Sequence, residues 1–315
     1  MPMLVQRARE LADSWGKRPS RGVASSIRIF YGQKARELPL PARSALCIAL
    51  GEAAELQGHF ENARWLYASA VAAADPGKDE RLYARAASRS LLNASRMGDR
   101  ATLLGVAKVV EGLPPKKVTS RLAGLGALAR GLERFLKEDW TGARRAFEAA
   151  MGAAWESQDP EAEALAQHLL AQAWARLGRV ARAKEHAEAA LTAGRRTGSW
   201  LLERRLALEA LMFKLLARPT ADTLGQVRHI VGEVRRLGFP RLESLAWAKL
   251  ARGILSETSH ASAFLSKAED LLPDGHPDRS FVKTLRAAAS KRAGRTGDQD
   301  LDRELEALAG LARKS

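Results

Sequence analysis

Residues 47–76 read CIALGEAAELQGHFENARWLYASAVAAADP, a stretch that places small residues at regular intervals within two helix-forming segments. Ala63, Tyr67 and Ala70 are spaced by four and then three residues, which puts them on one face of a helix. Gly58 lies between the two segments, where a glycine can end the first helix. The pattern predicts two closely packed helices in which the small residues are packing contacts and not part of a catalytic loop.

Three later segments repeat this pattern at intervals of 40 residues. The four segments begin at Gly58, Gly98, Glu138 and Gly178. A period of this length is typical of arrays of helix pairs, in which each pair buries its apolar face against its neighbours. We therefore expect an all-α fold, an α-solenoid of antiparallel helix pairs. Residues 1–40 would form an N-terminal capping pair, residues 41–275 the repeat array, and residues 276–315 basic and capping helices.

The Leu-Gly, Gly, Ala, aromatic, Ala and Pro pattern of residues 44–77 resembles a tetratricopeptide repeat. Residues 124–157 and 164–197 resemble it well, and residues 84–117 less closely. The usual repeat of that family has about 34 residues, whereas this chain repeats every 40. The resemblance implies a right-handed superhelix whose first helices line a concave surface, where partners bind as peptides or as folded surfaces. The Lys and Asn set with which some members hold chaperone tails is not found in this sequence.

The chain is strongly basic, with 51 Lys and Arg against 36 Asp and Glu, a net charge of +15. This charge favours acidic partners such as nucleic acid, an anionic membrane surface or an acidic protein. An arginine-rich helical protein can also be basic for packing and solubility alone. The single cysteine, Cys47, excludes an internal disulfide. Charged residues interrupt every long apolar stretch, so we expect no membrane insertion and a cytoplasmic location.

The sequence contains no convincing catalytic, cofactor or metal motif. Residues 124–129, GLGALA, match a dinucleotide fingerprint formally, but no strand precedes them. The acidic run at residues 298–302 begins like a calcium loop, yet Arg303 and Ala309 stand where that loop needs Gly and Glu. The six histidines include no helical zinc pair. We therefore expect a protein that is not an enzyme and that needs no cofactor.

The first helices supply the candidate partner-binding residues. Arg85, Arg89, Leu92 and Arg96 follow a spacing of four, three and four, so they share one helix face. Arginine binds carboxylates bidentately, and Leu or Phe adds apolar burial. We expect reversal of the three arginines to Glu to abolish partner capture without unfolding the chain. The complete set is Arg85, Arg89, Leu92, Arg96, Leu128, Leu132, Phe135, His168, Gln172 and Arg176.

A second basic region lies near the end of the chain. It consists of Lys283, Arg286, Lys291, Arg292 and Arg295, with no acidic residue from 283 to 295. Nucleic acid or an acidic domain could dock there, and a solvated helix end is the alternative interpretation.

These patterns predict a non-catalytic adaptor or scaffold that binds an acidic or partly apolar segment of another protein on its concave face. The alternative is a nucleic-acid-associated helical-repeat regulator that binds phosphates through scattered Arg and Lys. A steep loss of affinity with salt would distinguish the second function, because phosphate contacts release counterions. The sequence leaves self-association open.

Overall fold

The computed structural model describes residues 2–254, 260–272, 278–279, 282–283, 285 and 299–313. These residues form fifteen α-helices, one short 3-10 helix (Pro115–Lys117) and no strand, which confirms the predicted all-α class. In chain order the helices are α1 (Pro2–Lys17), α2 (Arg21–Lys34), α3 (Leu40–Leu56), α4 (Phe60–Ala72), α5 (Glu80–Met97), α6 (Arg100–Glu111), α7 (Ser120–Leu136), α8 (Trp140–Glu156), α9 (Pro160–Arg176), α10 (Val180–Arg196), α11 (Trp200–Ala217), α12 (Ala221–Leu237), α13 (Pro240–Gly253), α14 (His260–Asp270) and α15 (Gln299–Arg313).

The 40-residue period is confirmed by the helix boundaries. Helices α3, α5, α7, α9, α11 and α13 begin at residues 40, 80, 120, 160, 200 and 240. We call these six the first helices, and α4, α6, α8, α10, α12 and α14, which follow them, the second helices. From α4 to α10 and from α12 to α14, each helix packs against the next, and α7 also packs against α5 and α9. This is the packing of an α-helical repeat solenoid.

Two glycines explain why the first and second helices approach so closely. A Cβ atom on Gly51 would lie 2.5 Å from Cε1 of Tyr67, and one on Gly131 would lie 2.5 Å from Cδ1 of Phe147. Both rings are fully buried. Because real Cβ atoms do not come this close to a neighbour, each ring requires a glycine opposite it. The small residues in the opening stretch are therefore packing contacts, as predicted.

In the repeat between these two, the first helix carries the larger side chain of the contact and the second helix carries the smaller one. Leu91 and Ala107 occupy the positions equivalent to Gly51 and Tyr67, and both are buried. The larger side chain thus comes from the first helix in one repeat and from the second helix in the next. In these three repeats one large and one small side chain meet at this contact, which is how close-packed interiors tolerate substitution.

The predicted turn positions adopt the left-handed backbone that ends a helix. Gly58, Gly98 and Gly178 have φ angles of 86°, 69° and 73°, and Glu138, which replaces glycine in the third segment, has a φ of 62°. Aspartates start several of the following helices. Asp139, for example, accepts a hydrogen bond from the backbone N–H of Gly142 at 2.8 Å, which satisfies a donor at the beginning of α8.

The chain divides into two compact units. The first contains residues 1–55 and 59–203, and the second contains residues 56–58 and 204–315. In the first unit, a continuous core extends from Tyr83 through Leu128 to Ala173. In the second unit, α12, α13 and α14 pack in succession, and α15 packs against α12 and α14. Among the described helices, none combines the length and the apolar character that a membrane crossing requires.

Candidate partner-binding groove

A groove with a volume of about 700 Å³ lies in the first unit, where α5, α7 and α9 begin. We call it the α5–α9 groove; its lining comes from residues 78–88, 121–128, 150–165 and 196–199. Leu125 and Leu128 of α7 line it together with Leu82 of α5 and Leu165 of α9. Four acidic and five basic residues complete the charged part of the lining. The groove therefore combines an apolar surface with a dense set of charges.

Arg121 ties the beginnings of the three first helices together. Its Nε donates to Oδ2 of Asp159 at 2.8 Å, and its Nη1 lies 3.4 Å from Oε1 of Glu80. Asp159 also accepts hydrogen bonds from the N–H groups of Glu161 and Ala162 at the start of α9. Burial alone would raise the pKa of Asp159, but Arg121 and the two N–H donors outweigh it and hold this pKa below its usual value. Asp159 therefore stabilises the fold, because its carboxylate is already bonded within the chain.

A buried ion pair joins the two helices that pack on either side of α7. Arg89 of α5 donates from Nη2 to Oε1 of Glu161 on α9 at 2.7 Å, and from Nε to Oε1 of Glu52 on α3 at 2.7 Å. Only 6% of the Arg89 side chain is exposed. Trp15 of α1 donates its indole N–H to the other Glu52 oxygen at 2.8 Å. Four helices are therefore linked through one arginine.

The charges in this network stabilise one another. Burial alone would raise the pKa of Glu52, but the positive charges of Arg89 and Arg85 and the bond from Trp15 lower it overall. The two carboxylates raise the pKa of Arg89 in spite of its burial. Because each buried charge depends on its partner, removal of one partner leaves an uncompensated charge in the interior.

The structure gives the three predicted arginines different environments. Arg85 lines the groove, with 42% of its side chain exposed. Arg89 is buried, and Arg96 forms an ion pair with Glu55, a buried acid that also accepts a hydrogen bond from the Tyr67 hydroxyl at 3.1 Å. Reversal of Arg89 would place a third acid beside Glu52 and Glu161 in the interior, and reversal of Arg96 would leave the buried Glu55 facing a second acid at the surface. Since Arg89 is buried between Glu52 and Glu161, its reversal in the triple variant should destabilise the fold, and the effect of that variant on partner capture stays a prediction.

The two leucines predicted to bind a partner, Leu128 and Leu132, are buried. Leu128 and Leu132 are 5% and 2% exposed and belong to the core of the first unit. Leu128 still presents part of its surface to the groove. Both leucines were predicted to face a partner, but they are enclosed in a core formed with residues of the neighbouring helices. They stabilise the array more than they offer surface to a partner.

The other predicted residues lie outside the groove. Phe135 and Arg176 both contact Trp140, with ring centroids 4.8 Å apart for the aromatic pair and Cζ of Arg176 5.3 Å from the Trp140 centroid. A distance of 2.9 Å joins Nε2 of His168 to Nε2 of Gln172. Leu92 packs, partly buried, against the core. Their role in partner binding stays a prediction.

Sequence reasoning missed two cations at the groove, Lys78 and Arg81. Both are exposed and line the groove, and neither side chain has an ion-pair partner within the described part of the chain. A signal for Arg81 exists in the sequence: Arg81, Arg121 and Arg241 occupy the same position of the 40-residue period. The repeat alignment that predicts helix packing would therefore have found it.

The second basic region falls largely outside the described residues. Lys283 is described and exposed, with Nζ 4.0 Å from Oε1 of Glu269. Arg286, Lys291, Arg292 and Arg295 lie outside the described ranges, as does Asp298 at the start of the acidic run. Across the described side chains, no group of His, Cys, Asp and Glu is placed to hold a metal ion.

Comparison of the chain with family models and with curated proteins finds no match. The relation to tetratricopeptide-repeat proteins therefore stays a prediction from the sequence pattern. Function is inferred instead from the chemistry of the groove.

Proposed function

We propose that this chain is a non-catalytic helical-repeat adaptor of the cytoplasm, whose α5–α9 groove binds an acidic, partly apolar segment of another protein. The observation that supports this function is the coexistence, in one groove of about 700 Å³, of exposed cations and leucine side chains. The volume lies within the usual range of ligand sites.

The charged side chains that are exposed at the edge of the groove are all basic. Arg121 and Arg196 are held by carboxylates of the chain, at 2.8 Å from Asp159 and 2.6 Å from Glu163. Lys78, Arg81 and Arg85 remain exposed beside them. The N-termini of α5, α7 and α9 add their partial positive charge at the same place. An acidic ligand would be attracted there, because oppositely charged surfaces steer association.

The uncharged lining favours a peptide over nucleic acid. Leu82, Leu125 and Leu165 offer apolar surface for aliphatic side chains of a ligand. Proteins that bind single-stranded nucleic acid stack its bases on aromatic side chains. None of the described residues that line the groove is aromatic. A carboxylate-bearing peptide with leucine-like side chains therefore fits this lining better than a phosphate backbone with bases.

Fluorescence anisotropy with labelled peptides tests this function. The probe is a short peptide of alternating Glu and Leu, and the matched control replaces every Glu with Gln. We expect the Glu–Leu peptide to bind with a Kd of about 1–100 µM, as transient peptide complexes do, and the Gln–Leu peptide to bind far more weakly. Preferential binding of a single-stranded oligonucleotide, with a steep salt dependence, would instead establish the nucleic-acid function.

A further inference from the structure

We propose that the carboxylates of the ligand bind at Lys78, Arg81 and Arg85, and that Glu161 competes with them for Arg85. We call the three basic residues the α5 cationic cluster. This inference rests on the proposed function and specifies which side chains of the groove recognise the acid. It differs from the sequence prediction, because Arg89 and Arg96 serve the fold and the α5 cationic cluster serves the ligand.

The internal repeats show what Arg81 lacks. At the equivalent position, Arg121 holds the carboxylate of Asp159 at 2.8 Å in the first unit, across 38 residues of chain. Within the second unit, Arg241 holds that of Asp278 at 2.9 Å, across 37 residues.

The residue in the corresponding place for Arg81 is Thr119. Its hydroxyl donates to Glu80 at 2.7 Å, and Glu80 is in turn 3.4 Å from Arg121. Arg121 and Arg241 thus each pair with a carboxylate about 37 or 38 residues further along the chain, whereas Arg81 has a threonine in that place. A carboxylate from a bound partner would complete the same pair.

The position of the cluster on α5 supports a binding role. Lys78 and Arg81 lie at the N-terminus of the helix, where the helix dipole disfavours positive charge. Arg85 follows Arg81 by four residues, so the two guanidinium groups project from the same face of α5. Asp79 and Glu80 lie in the same turn and offset part of this conflict, but both are less exposed than Lys78 and Arg81. An anionic ligand would reduce both the mutual repulsion of the exposed cations and their conflict with the dipole.

Glu161 already takes the place of such a ligand. It occupies the period position that holds Arg81 and Arg121 in the two preceding repeats, so its charge is reversed relative to theirs. It lines the groove, and its Oε2 lies 3.6 Å from Nε of Arg85. That distance is too long for a hydrogen bond, and Arg85 is 42% exposed. The contact with Arg85 is therefore weak enough for a ligand carboxylate to replace it.

The contact of Glu161 with Arg89 is of a different kind. It is a hydrogen-bonded pair of 2.7 Å to an arginine that is only 6% exposed. Glu161 is therefore held in place by Arg89 while it competes for Arg85. The ligand therefore has to replace only the exposed contact between Glu161 and Arg85, while the buried pair of Glu161 and Arg89 stays in place.

The test measures the affinity of the full-length chain for the labelled Glu–Leu peptide. The variants are Arg81→Gln, Arg85→Gln, Glu161→Gln and the Arg85→Gln/Glu161→Gln double variant. We expect Arg81→Gln and Arg85→Gln each to weaken binding about fivefold, the effect of losing one charge-assisted contact at a partly exposed site. Glu161→Gln should strengthen binding about threefold in the wild-type background, and not at all when Arg85 is already Gln.

The matched controls come from an exposed ion pair outside the groove. Arg130 and Glu111 lie 2.9 Å apart, with 47% and 56% of their side chains exposed. Arg130→Gln and Glu111→Gln make the same changes in net charge and should leave the affinity nearly unchanged. Circular dichroism of each variant verifies that it is folded. Since Arg81 has no ion-pair partner in the described chain, its variant is informative even if Glu161→Gln weakens the array.

The outcomes separate this inference from the proposed function. If the peptide binds the wild type but Arg81→Gln and Arg85→Gln behave like Arg130→Gln, the α5 cationic cluster is not the site and the function stands. If Glu161→Gln strengthens binding equally in both backgrounds, the effect is general electrostatics and the competition is refuted. If the peptide does not bind the wild type at all, the proposed function and this inference are both overturned.

Discussion

Replacement of Gly131 by alanine should destabilise the first unit, although alanine is the better helix former. The added methyl would lie 2.5 Å from Cδ1 of Phe147, whose ring is fully buried between α7 and α8. Relief of this overlap requires movement of the ring or of a helix, which costs about 1–3 kcal/mol in well-packed cores. The intrinsic preference for alanine returns about 0.5–1 kcal/mol. We therefore expect a net loss of up to about 2.5 kcal/mol in the free energy of unfolding.

Gly105 provides the matched control for this substitution. It lies in the middle of α6, is exposed, and has no atom within 4 Å of the place where a Cβ would stand. Gly105→Ala should therefore stabilise the same unit by about 0.5–1 kcal/mol. Urea denaturation followed by far-UV circular dichroism measures both changes as shifts of the transition midpoint. Equal stabilisation by the two substitutions would refute the close packing of α7 on α8 as the reason for Gly131.

A compensating pair takes the test further. The Gly131→Leu/Phe147→Ala variant copies into α7 and α8 the arrangement that Leu91 and Ala107 have in the preceding repeat. Phe147→Ala alone should cost about 3–5 kcal/mol because it opens a cavity. We expect the double variant to be more stable than the sum of the two single changes by at least about 1 kcal/mol, since the positions share one space. Strict additivity would show that the two positions do not exchange volume.

Three further predictions concern the polar network of the interior. Arg89→Ala should lower the free energy of unfolding by about 3–5 kcal/mol because it leaves Glu52 buried without its cation; a change as small as that of Arg130→Ala in the same denaturation assay would contradict this. The pKa values of Glu52 and Asp159 are lowered in the folded state, so the stability they contribute is present above about pH 4 and is lost as the pH falls through their folded values. Urea midpoints that stay constant from neutral pH down to about pH 3 would refute this. Ser44→Ala removes a buried hydrogen bond of 2.8 Å from its hydroxyl to the carbonyl of Ala70 and should cost about 1–2 kcal/mol. An unchanged urea midpoint for Ser44→Ala would show that this bond adds nothing to stability.

The fold was predictable because its information is local and periodic. The spacing of Ala63, Tyr67 and Ala70 identifies a helix face within one turn or two, and the recurrence every 40 residues identifies the array. The turn at Glu138 could be predicted despite its missing glycine, because three other repeats placed a glycine there. Local spacing and internal repetition are both visible in one sequence.

The candidate site was less predictable because it depends on contacts between distant repeats. A helical projection places Arg85 and Arg89 on the same face, but it does not reveal that Glu161, 72 residues after Arg89, reaches that arginine. The packing of α5, α7 and α9 buries Arg89 and leaves Arg85 partly exposed. This packing depends on side chains along three helices, which no short-range pattern specifies.

Photo-crosslinking tests most directly whether the α5–α9 groove binds an acidic, partly apolar segment. A Glu–Leu peptide with a benzophenone side chain at its centre is irradiated with the full-length chain, and the crosslinked sites are identified by mass spectrometry of the digested protein. We predict crosslinks within residues 78–88, 121–128 and 160–165, which line the groove, and their loss when excess unlabelled peptide is added. Crosslinks concentrated in residues 278–313, or a pattern identical to that of the Gln–Leu peptide, would contradict binding in this groove.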